Sequence, residues 1–134
     1  MDRVSKLEKH LSINQKKLNL AMRWLQLHNT GRSLFKNLLR NGIKEIVIYG
    51  ASEFAVRLIE EAEKEKYTIV GIVDRKITQQ GGSFKGIPFL SINDISQDVY
   101  VVVTAMGFED EIKSELEEKG LVSIMTLQDV IEGA

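Results

Sequence analysis

The chain of 134 residues contains no cysteine, one proline and two histidines. Without cysteine there can be no disulfide, no thiolate metal site and no cysteine nucleophile. This composition suits a reducing compartment, so we expect a cytoplasmic protein. Both histidines, His10 and His28, lie in the N-terminal part. No histidine–carboxylate cluster resembles a metal site, and we predict no bound metal.

The sequence also lacks long apolar segments and the common catalytic motifs. Its start, Met1-Asp2-Arg3, has no apolar region of a signal peptide. No apolar run approaches the roughly 18 residues of a membrane span, so we expect no membrane insertion. The 18 basic and 19 acidic residues are interspersed, which makes a nucleic-acid partner unexpected. There is no G-x-S-x-G turn, P-loop lysine or H-E-x-x-H, and we predict no catalytic residue in this chain.

Residues 1–41 are predicted to begin with a long helix that is apolar on two sides. One stripe follows a heptad pattern over about three repeats, with Asn14 in one of its positions. Its apolar members are Val4, Leu7, Leu11, Leu18, Ala21 and Leu25. The second set is Ile13, Leu20, Trp24 and Leu27. A helix of this kind is usually covered on both sides. We therefore expect one stripe to pack on its own domain and the other on a partner in a homodimer; a single broad core stripe in a monomer is the alternative.

A second, shorter helix is predicted over residues 33–40. Ser33 is a residue type that caps helix N-termini, and Leu34, Leu38 and Leu39 are predicted to face inward. The helix should end at Asn41-Gly42, with glycine in the left-handed conformation. We expect this N-terminal helical segment, residues 1–41, to precede a domain formed by residues 42–134.

Residues 42–134 alternate between strands and helices as in parallel-sheet proteins. Strands are predicted at residues 45–49, 67–73, 87–90, 99–105 and 122–125. Helices are predicted at residues 53–66, 109–119 and 127–131, with one helical turn at 91–95 and a polar loop at 75–84. Right-handed crossovers favour the strand order 3-2-1-4-5. The predicted fold class is α/β: a Rossmann-like, doubly wound, mostly parallel five-stranded sheet preceded by the helical segment.

The turn after the first predicted strand is the strongest candidate for a ligand site. Gly50, Ser52 and Ala55 occupy the three places of the G-x-G-x-x-G/A pattern. The N–H groups and the dipole of a helix start favour a phosphate there. Ser52 replaces the second glycine, and its hydroxyl could either donate to a phosphate or cap the helix. Glu53 opposes an anion, and a tight strand–helix connection without ligand is the alternative.

Further candidates end the neighbouring strands, where ligands of such sheets lie. Asp74 follows Gly50 by 24 residues, the place from which a Rossmann domain binds a ribose hydroxyl. A turn-forming aspartate is the other interpretation. Arg75 could receive a phosphate or pair with an acid. The predicted binding residues are Gly50, Ala51, Ser52, Glu53, Phe54, Asp74, Arg75, Thr104, Ala105 and Gly107.

The order of glycine turn, acid-ended strand, Gly86-Ile87-Pro88 and valine-rich strand resembles a known family. It is similar to the N-terminal Rossmann-like domain of bacterial sugar O-acyltransferases of the sialic-acid and bacillosamine type, over about residues 44–125. The resemblance implies nucleotide-sugar binding at Gly50, Ser52, Ala55 and Asp74. It implies no acyl transfer, since the catalytic left-handed β-helix of that family has no counterpart in this sequence.

Together these observations predict a non-catalytic nucleotide-binding module. The resemblance implies a nucleotide-sugar ligand and an association with bacterial polysaccharide or sugar-modification pathways, with NAD(P) or CoA as other ligands. One alternative is an NAD(P)-binding oxidoreductase-like or redox-sensing domain, in which Asp74 would favour NAD over NADP. Another is a ligand-free structural or dimerisation module.

Overall fold

The computed structural model describes residues 2–75 and 82–134, with side chains described from Lys6 onward. The described helices are α1 Asp2–Asn29, α2 Leu34–Arg40, α3 Glu53–Glu65, α4 Glu109–Glu118 and α5 Leu127–Gly133, with a 3-10 turn at Ile92–Asp94. The described strands are β1 Glu45–Tyr49, β2 Thr68–Val73, β3 Ser83–Phe84, β4 Ile87–Pro88, β5 Tyr100–Val103 and β6 Ile124–Thr126. Within these ranges no helix is both long and apolar enough to cross a membrane. Most of the loop predicted at 75–84, and the side chain of Val4, lie outside the described residues.

A four-stranded sheet of order β2-β1-β5-β6 forms the centre of the molecule. All three strand pairs are parallel. The α/β class is thereby confirmed, and four of the five predicted strands take their predicted places. The inner strands β1 and β5 are almost entirely buried because helices cover both faces of the sheet.

The predicted third strand, residues 87–90, does not join this sheet as a strand. Its first two residues pair antiparallel with β3 in a separate two-stranded hairpin. Phe89 alone forms a single parallel bridge to Ile72, at the predicted edge beside β2. Pro88 has no N–H group to donate and cannot continue a ladder along β2. The five-stranded order is therefore reduced to four strands and one bridge.

The two faces of the sheet carry two separate cores. Ile46 and Ile48 of β1 face the larger core, which is covered by α1, α2, α3 and α5. Val47 and Tyr49 face the smaller core, which is covered by α4. The larger core includes buried side chains of α1 and α2 as well as of the sheet, so residues 1–41 and 42–134 share it.

The second helix forms as predicted, with one correction. The Ser33 hydroxyl accepts the N–H of Lys36 (3.1 Å), and Gly42 has a φ of +79° after the helix end. Leu39, however, is 50 % exposed. The buried side of this short helix consists of Leu34, Phe35 and Leu38, which turns Leu39 outward.

The two apolar stripes of α1 have different environments. Leu20, Trp24 and Leu27 are buried in the larger core. Trp24 stacks on Phe54 of α3 (6.4 Å between ring centroids), and its Nε1–H donates to Glu61 (2.8 Å). The heptad stripe is exposed, between 53 % and 60 %, at Leu7, Leu11, Leu18 and Leu25, together with Met22. Packing of one stripe on the chain's own domain is confirmed; the partner for the other stays a prediction.

Leucines 25 and 27 offer a matched test of this packing. Leu27 is 3 % exposed and Leu25 is 53 % exposed. We expect Leu27→Ala to lower the free energy of unfolding by about 2–5 kcal/mol because it leaves a cavity. Leu25→Ala should change it by less than about 1 kcal/mol in dilute protein. Urea unfolding followed by the fluorescence of Trp24, the only tryptophan, measures both; equal losses would contradict the assignment of stripes.

Candidate functional site

The turn between β1 and α3 requires glycine at its first position. Gly50 has a φ of +112°, a conformation that L side chains rarely adopt. A Cβ atom at Gly50 would lie 2.9 Å from Oγ1 of Thr104 and 3.3 Å from the Ala105 nitrogen. The Gly50 N–H donates to the Val73 carbonyl oxygen (2.8 Å) at the end of β2. The chain thus passes closely between its two neighbouring strand ends.

Two side chains fix this turn from opposite sides. The Asp74 carboxylate accepts the N–H of Ala51 (2.8 Å). Thr104 is buried, and its hydroxyl lies 2.8 Å from the Gly50 carbonyl oxygen and 3.1 Å from that of Tyr49. Thr104 therefore has a structural role. The N–H group of Ala51 in the turn is already bound by Asp74.

Ser52 stands at the N-cap of the 13-residue helix α3 but does not cap it. Its backbone is extended and its side chain makes no cap hydrogen bond. Its Oγ is buried with no hydrogen-bond partner in the described structure. A buried hydroxyl without a partner costs about 1–3 kcal/mol. Two roles were predicted for Ser52, and the hydrogen bond that helix capping requires is not formed.

A cavity of about 360 Å³ opens beside this turn, on the face of the sheet that α4 covers. Six of the predicted binding residues line it: Gly50, Ala51, Ser52, Asp74, Arg75 and Ala105. Tyr49, Phe108 and Ile112 complete the lining. The polar groups lie at the strand ends, and Ala105, Phe108 and Ile112 add an apolar wall.

Arg75 is tied to α4 at the mouth of the cavity. Its guanidinium donates to Glu115 (2.5 Å) and to the Tyr49 hydroxyl (3.1 Å), and it lies 3.9 Å from Glu111. The Tyr49 hydroxyl in turn donates to Glu115 (3.1 Å). Burial raises the pKa of Tyr49, and the hydrogen bonds to Tyr49 and Glu115 raise that of Arg75. Tyrosine and arginine therefore keep their protons at neutral pH.

Four of the predicted binding residues do not line the cavity. Glu53 is exposed at the start of α3, and Phe54 turns to Trp24 on the other face of the sheet. Thr104 is buried under the turn. Gly107, with a φ of +90°, lies against Ile13 of α1, whose Cδ1 would be 2.9 Å from a Cβ there.

Three lining residues, Tyr49, Phe108 and Ile112, were not among the predicted binding residues. Tyr49 gives a usable signal, since it is a polar aromatic residue that ends an otherwise aliphatic strand directly before the glycine. Ile112 gives none, because one apolar residue on an amphipathic helix has the same pattern whether it faces a core or a cavity.

The fold and the cavity define an α/β domain whose candidate ligand site lies at the carboxyl edge of a parallel sheet. Residues 42–124 match the family model described as "C2185-like, N-terminal", and the chain belongs to this family. The match covers the sheet from β1 to the start of β6, whereas α1 and α2 precede it. No curated protein and no solved structure shows significant similarity to the chain.

Replacing Ser52 tests whether its hydroxyl serves the fold. We expect Ser52→Ala to leave the unliganded protein as stable or up to about 1 kcal/mol more stable, because it removes an unsatisfied buried polar group. Ser33→Ala is the matched control, since Ser33 caps α2, and it should cost about 1 kcal/mol. Thermal and urea unfolding measure both; a loss at Ser52 as large as that at Ser33 would show a structural role.

Proposed function

We propose that this chain is a small nucleotide-binding module without catalysis of its own, and that its cavity holds the nucleotide part of a nucleotide-sugar. The buried hydroxyl of Ser52 is the observation that supports this most strongly. It lies at the start of α3, in the lining of the cavity, and has no partner in the described structure. A phosphate oxygen at the start of α3 would satisfy it once rotation of the Ser52 side chain turns the hydroxyl into the cavity.

The phosphate would be bound by Ser52 and by the first N–H groups of α3. These groups have no partner within the helix, and the helix dipole adds partial positive charge. The N–H group of Ala51 contributes less to phosphate binding than its position in the turn predicts, because it already donates to Asp74. Arg75, the one cationic residue among the described cavity lining, would contact the anion by exchanging Glu115 for it.

The ribose and base would occupy the rest of the cavity. An ionised carboxylate offers about four lone-pair positions, so Asp74 can accept a ribose hydroxyl while it holds Ala51. Ala105, Phe108 and Ile112 form an apolar wall suited to a planar base. The cavity of about 360 Å³ is near the lower end of the range for ligand pockets. It fits a nucleoside and leaves the sugar of a nucleotide-sugar outside.

The preference for a nucleotide-sugar over other nucleotides rests on the resemblance to sugar O-acyltransferase domains, a fold-level analogy. On this proposal the chain acts in the cytoplasm beside a bacterial polysaccharide or sugar-modifying enzyme. NAD is the alternative ligand, and the negative charge of Asp74 opposes the 2′-phosphate of NADP. An oxidoreductase-like or redox-sensing role would follow from NAD binding.

A ligand-free structural module is the second candidate function. One observation favours it: the turn already satisfies itself, because Asp74 binds the Ala51 N–H and Thr104 binds the carbonyl oxygens behind it. Glu53 and Glu115 add further negative charge around the turn and the mouth of the cavity. In this case the buried Ser52 hydroxyl would be an uncompensated cost.

Calorimetry separates these candidates. We expect a UDP-sugar to bind at millimolar concentration or below, and Ser52→Ala to weaken it about 10- to 100-fold, the value of a hydrogen bond to a charged group. NAD(H), CoA and S-adenosylmethionine are tested in the same way. Thr126→Ala, which removes a helix cap outside the cavity, should leave affinity unchanged. No heat with any of the four ligands would contradict nucleotide binding.

We further propose that the exposed heptad stripe of α1 supports a homodimer. Five large apolar side chains more than half exposed on one helix are unusual for a monomer's surface. Burying each would contribute about 1 kcal/mol, or about 10 kcal/mol for two copies. Since association itself costs about 4–15 kcal/mol, at most about 6 kcal/mol remains, and we expect a weak dimer with a dissociation constant of about 40 µM or higher.

Light scattering over a concentration series tests the dimer. We expect the mass to rise from the 15.2 kDa of one chain towards twice that value between about 1 and 300 µM. Leu18→Glu should remain monomeric throughout, because it places a charge within the stripe. Val122→Glu is the matched control, at an apolar residue 80 % exposed far from α1 in sequence, and should behave like the parent. A parent chain that stays monomeric at the highest concentration would contradict this proposal.

A further inference from the structure

Glu115 of α4 lies beside the candidate site, and the described residues that line the cavity do not include it. Its carboxylate binds two residues that do. One oxygen accepts the Nε–H (3.0 Å) and an Nη–H (2.5 Å) of Arg75, and the other accepts the hydroxyl of Tyr49 (3.1 Å). The Tyr49 hydroxyl also accepts the Nε–H of Arg75 (3.1 Å). The three side chains thus form a closed network.

This network neutralises the positive charge that the cavity could offer to an anion. Asp74 and Arg75 are the charged residues of the described lining. Glu115 pairs with Arg75 at close range, and the carboxylate of Glu111 lies 3.9 Å from the same guanidinium. An anionic ligand therefore meets no net positive charge among these side chains until Arg75 separates from Glu115.

The pair between Arg75 and Glu115 is close but only partly shielded from water. Their side chains are 45 % and 35 % exposed. Ion pairs with this much exposure are weak, and a guanidinium binds phosphate with the same planar geometry as carboxylate. A diphosphate carries two negative charges against the one of Glu115, which favours the exchange. An uncharged nucleoside leaves the pair intact.

We propose that Glu115 is a specificity-determining residue of the nucleotide site. Its carboxylate competes with the ligand's phosphate for Arg75 and so sets how strongly the cavity prefers a nucleotide to the corresponding nucleoside. The inference rests on the nucleotide binding proposed above. When a diphosphate binds, the guanidinium turns to it, and Glu115 keeps its hydrogen bond from Tyr49. That bond holds the displaced carboxylate and keeps α4 in contact with the end of β1.

Replacing Glu115 by glutamine tests the competition. Glutamine has the size of glutamate and retains an oxygen that can accept from Tyr49, but it lacks the charge that holds Arg75. UDP-glucose and uridine share a nucleoside and differ in the diphosphate, and calorimetry measures both. We expect Glu115→Gln to bind UDP-glucose about five-fold more tightly than the parent chain and uridine within about two-fold of the parent.

Glu111→Gln is the matched control. It removes the same charge from the same helix, but the Glu111 side chain is 70 % exposed and lies 3.9 Å from Arg75. We expect it to change the affinity for UDP-glucose by less than about two-fold, because water screens so exposed a charge. Equal effects of Glu111→Gln and Glu115→Gln would show a general influence of charge and overturn the proposal.

A double-mutant cycle with Arg75→Gln shows whether Glu115 acts through Arg75. In the Arg75→Gln background, Glu115→Gln should tighten binding of UDP-glucose by no more than about two-fold, because no guanidinium is left to release. The same five-fold gain with and without Arg75 would show that Glu115 merely repels the phosphates, which contradicts competition for Arg75.

The Nε–H signal of Arg75 in nitrogen-15 NMR spectra gives an independent readout, assigned by its loss in Arg75→Gln. Since Tyr49 and Glu115 both accept this proton, UDP-glucose should shift the signal in the parent chain and uridine should not. If UDP-glucose binds and the signal does not move, the phosphates do not reach Arg75 and the proposal fails.

NAD and adenosine form a second pair that differs in a diphosphate, and together the two pairs separate the two levels of inference. Binding of UDP-glucose or NAD without a gain in Glu115→Gln overturns the competition and leaves nucleotide binding intact. If none of the four compounds binds to the parent or to Glu115→Gln, nucleotide binding and the competition both fail.

Discussion

The contacts that hold the Gly50 turn between its neighbouring strands determine the arrangement of the rest of the site. Asp74 binds the turn from β2, and Thr104 binds it from the end of β5. Three strand ends are thereby fixed to one another at the carboxyl edge of the sheet. This junction positions the rest of the site. Tyr49 is the last residue of β1, α3 follows β1 after the turn, and Ala105 and Phe108 follow β5.

The same junction limits the chemistry of the cavity. Asp74 uses one N–H of the turn, so an anion would depend on Ser52 and the helix start rather than on the whole loop. Arg75 supplies a cation, but Glu115 and Tyr49 already hold it. On the proposed function, the ligand would therefore carry few phosphate charges and a sizeable apolar part. Among the buried side-chain atoms of the described residues, the Ser52 hydroxyl remains without a hydrogen-bond partner.

Helix α1 is rich in basic residues and has two apolar sides, and the overall composition of the chain shows neither property. Acidic and basic residues are nearly equal in number over the whole chain, yet they are divided between elements. Six basic residues lie in α1, whereas six of the ten residues of α4 are acidic. One side of α1 completes the larger core, while the other presents leucines to solvent. The helix thus belongs to the fold and also carries an unpaired surface.

The sequence by itself determined the elements and their order. The strand before Gly50, the helix after Ser52, the cap at Ser33 and the two stripes of α1 all depend on neighbours a few residues apart, and spacing reveals such contacts. Tertiary structure alone decided the partners of the polar side chains. Asp74 meets Ala51 across 23 residues, and Tyr49 meets Glu115 across 66. It also reduced the predicted strand at Pro88 to a bridge and left the Ser52 hydroxyl without a partner among residues 2–75 and 82–134. These outcomes depend on where the crossovers place strand ends and helices that are distant in sequence. Hydrogen bonds require those positions to within about an ångström, and residue spacing does not determine them.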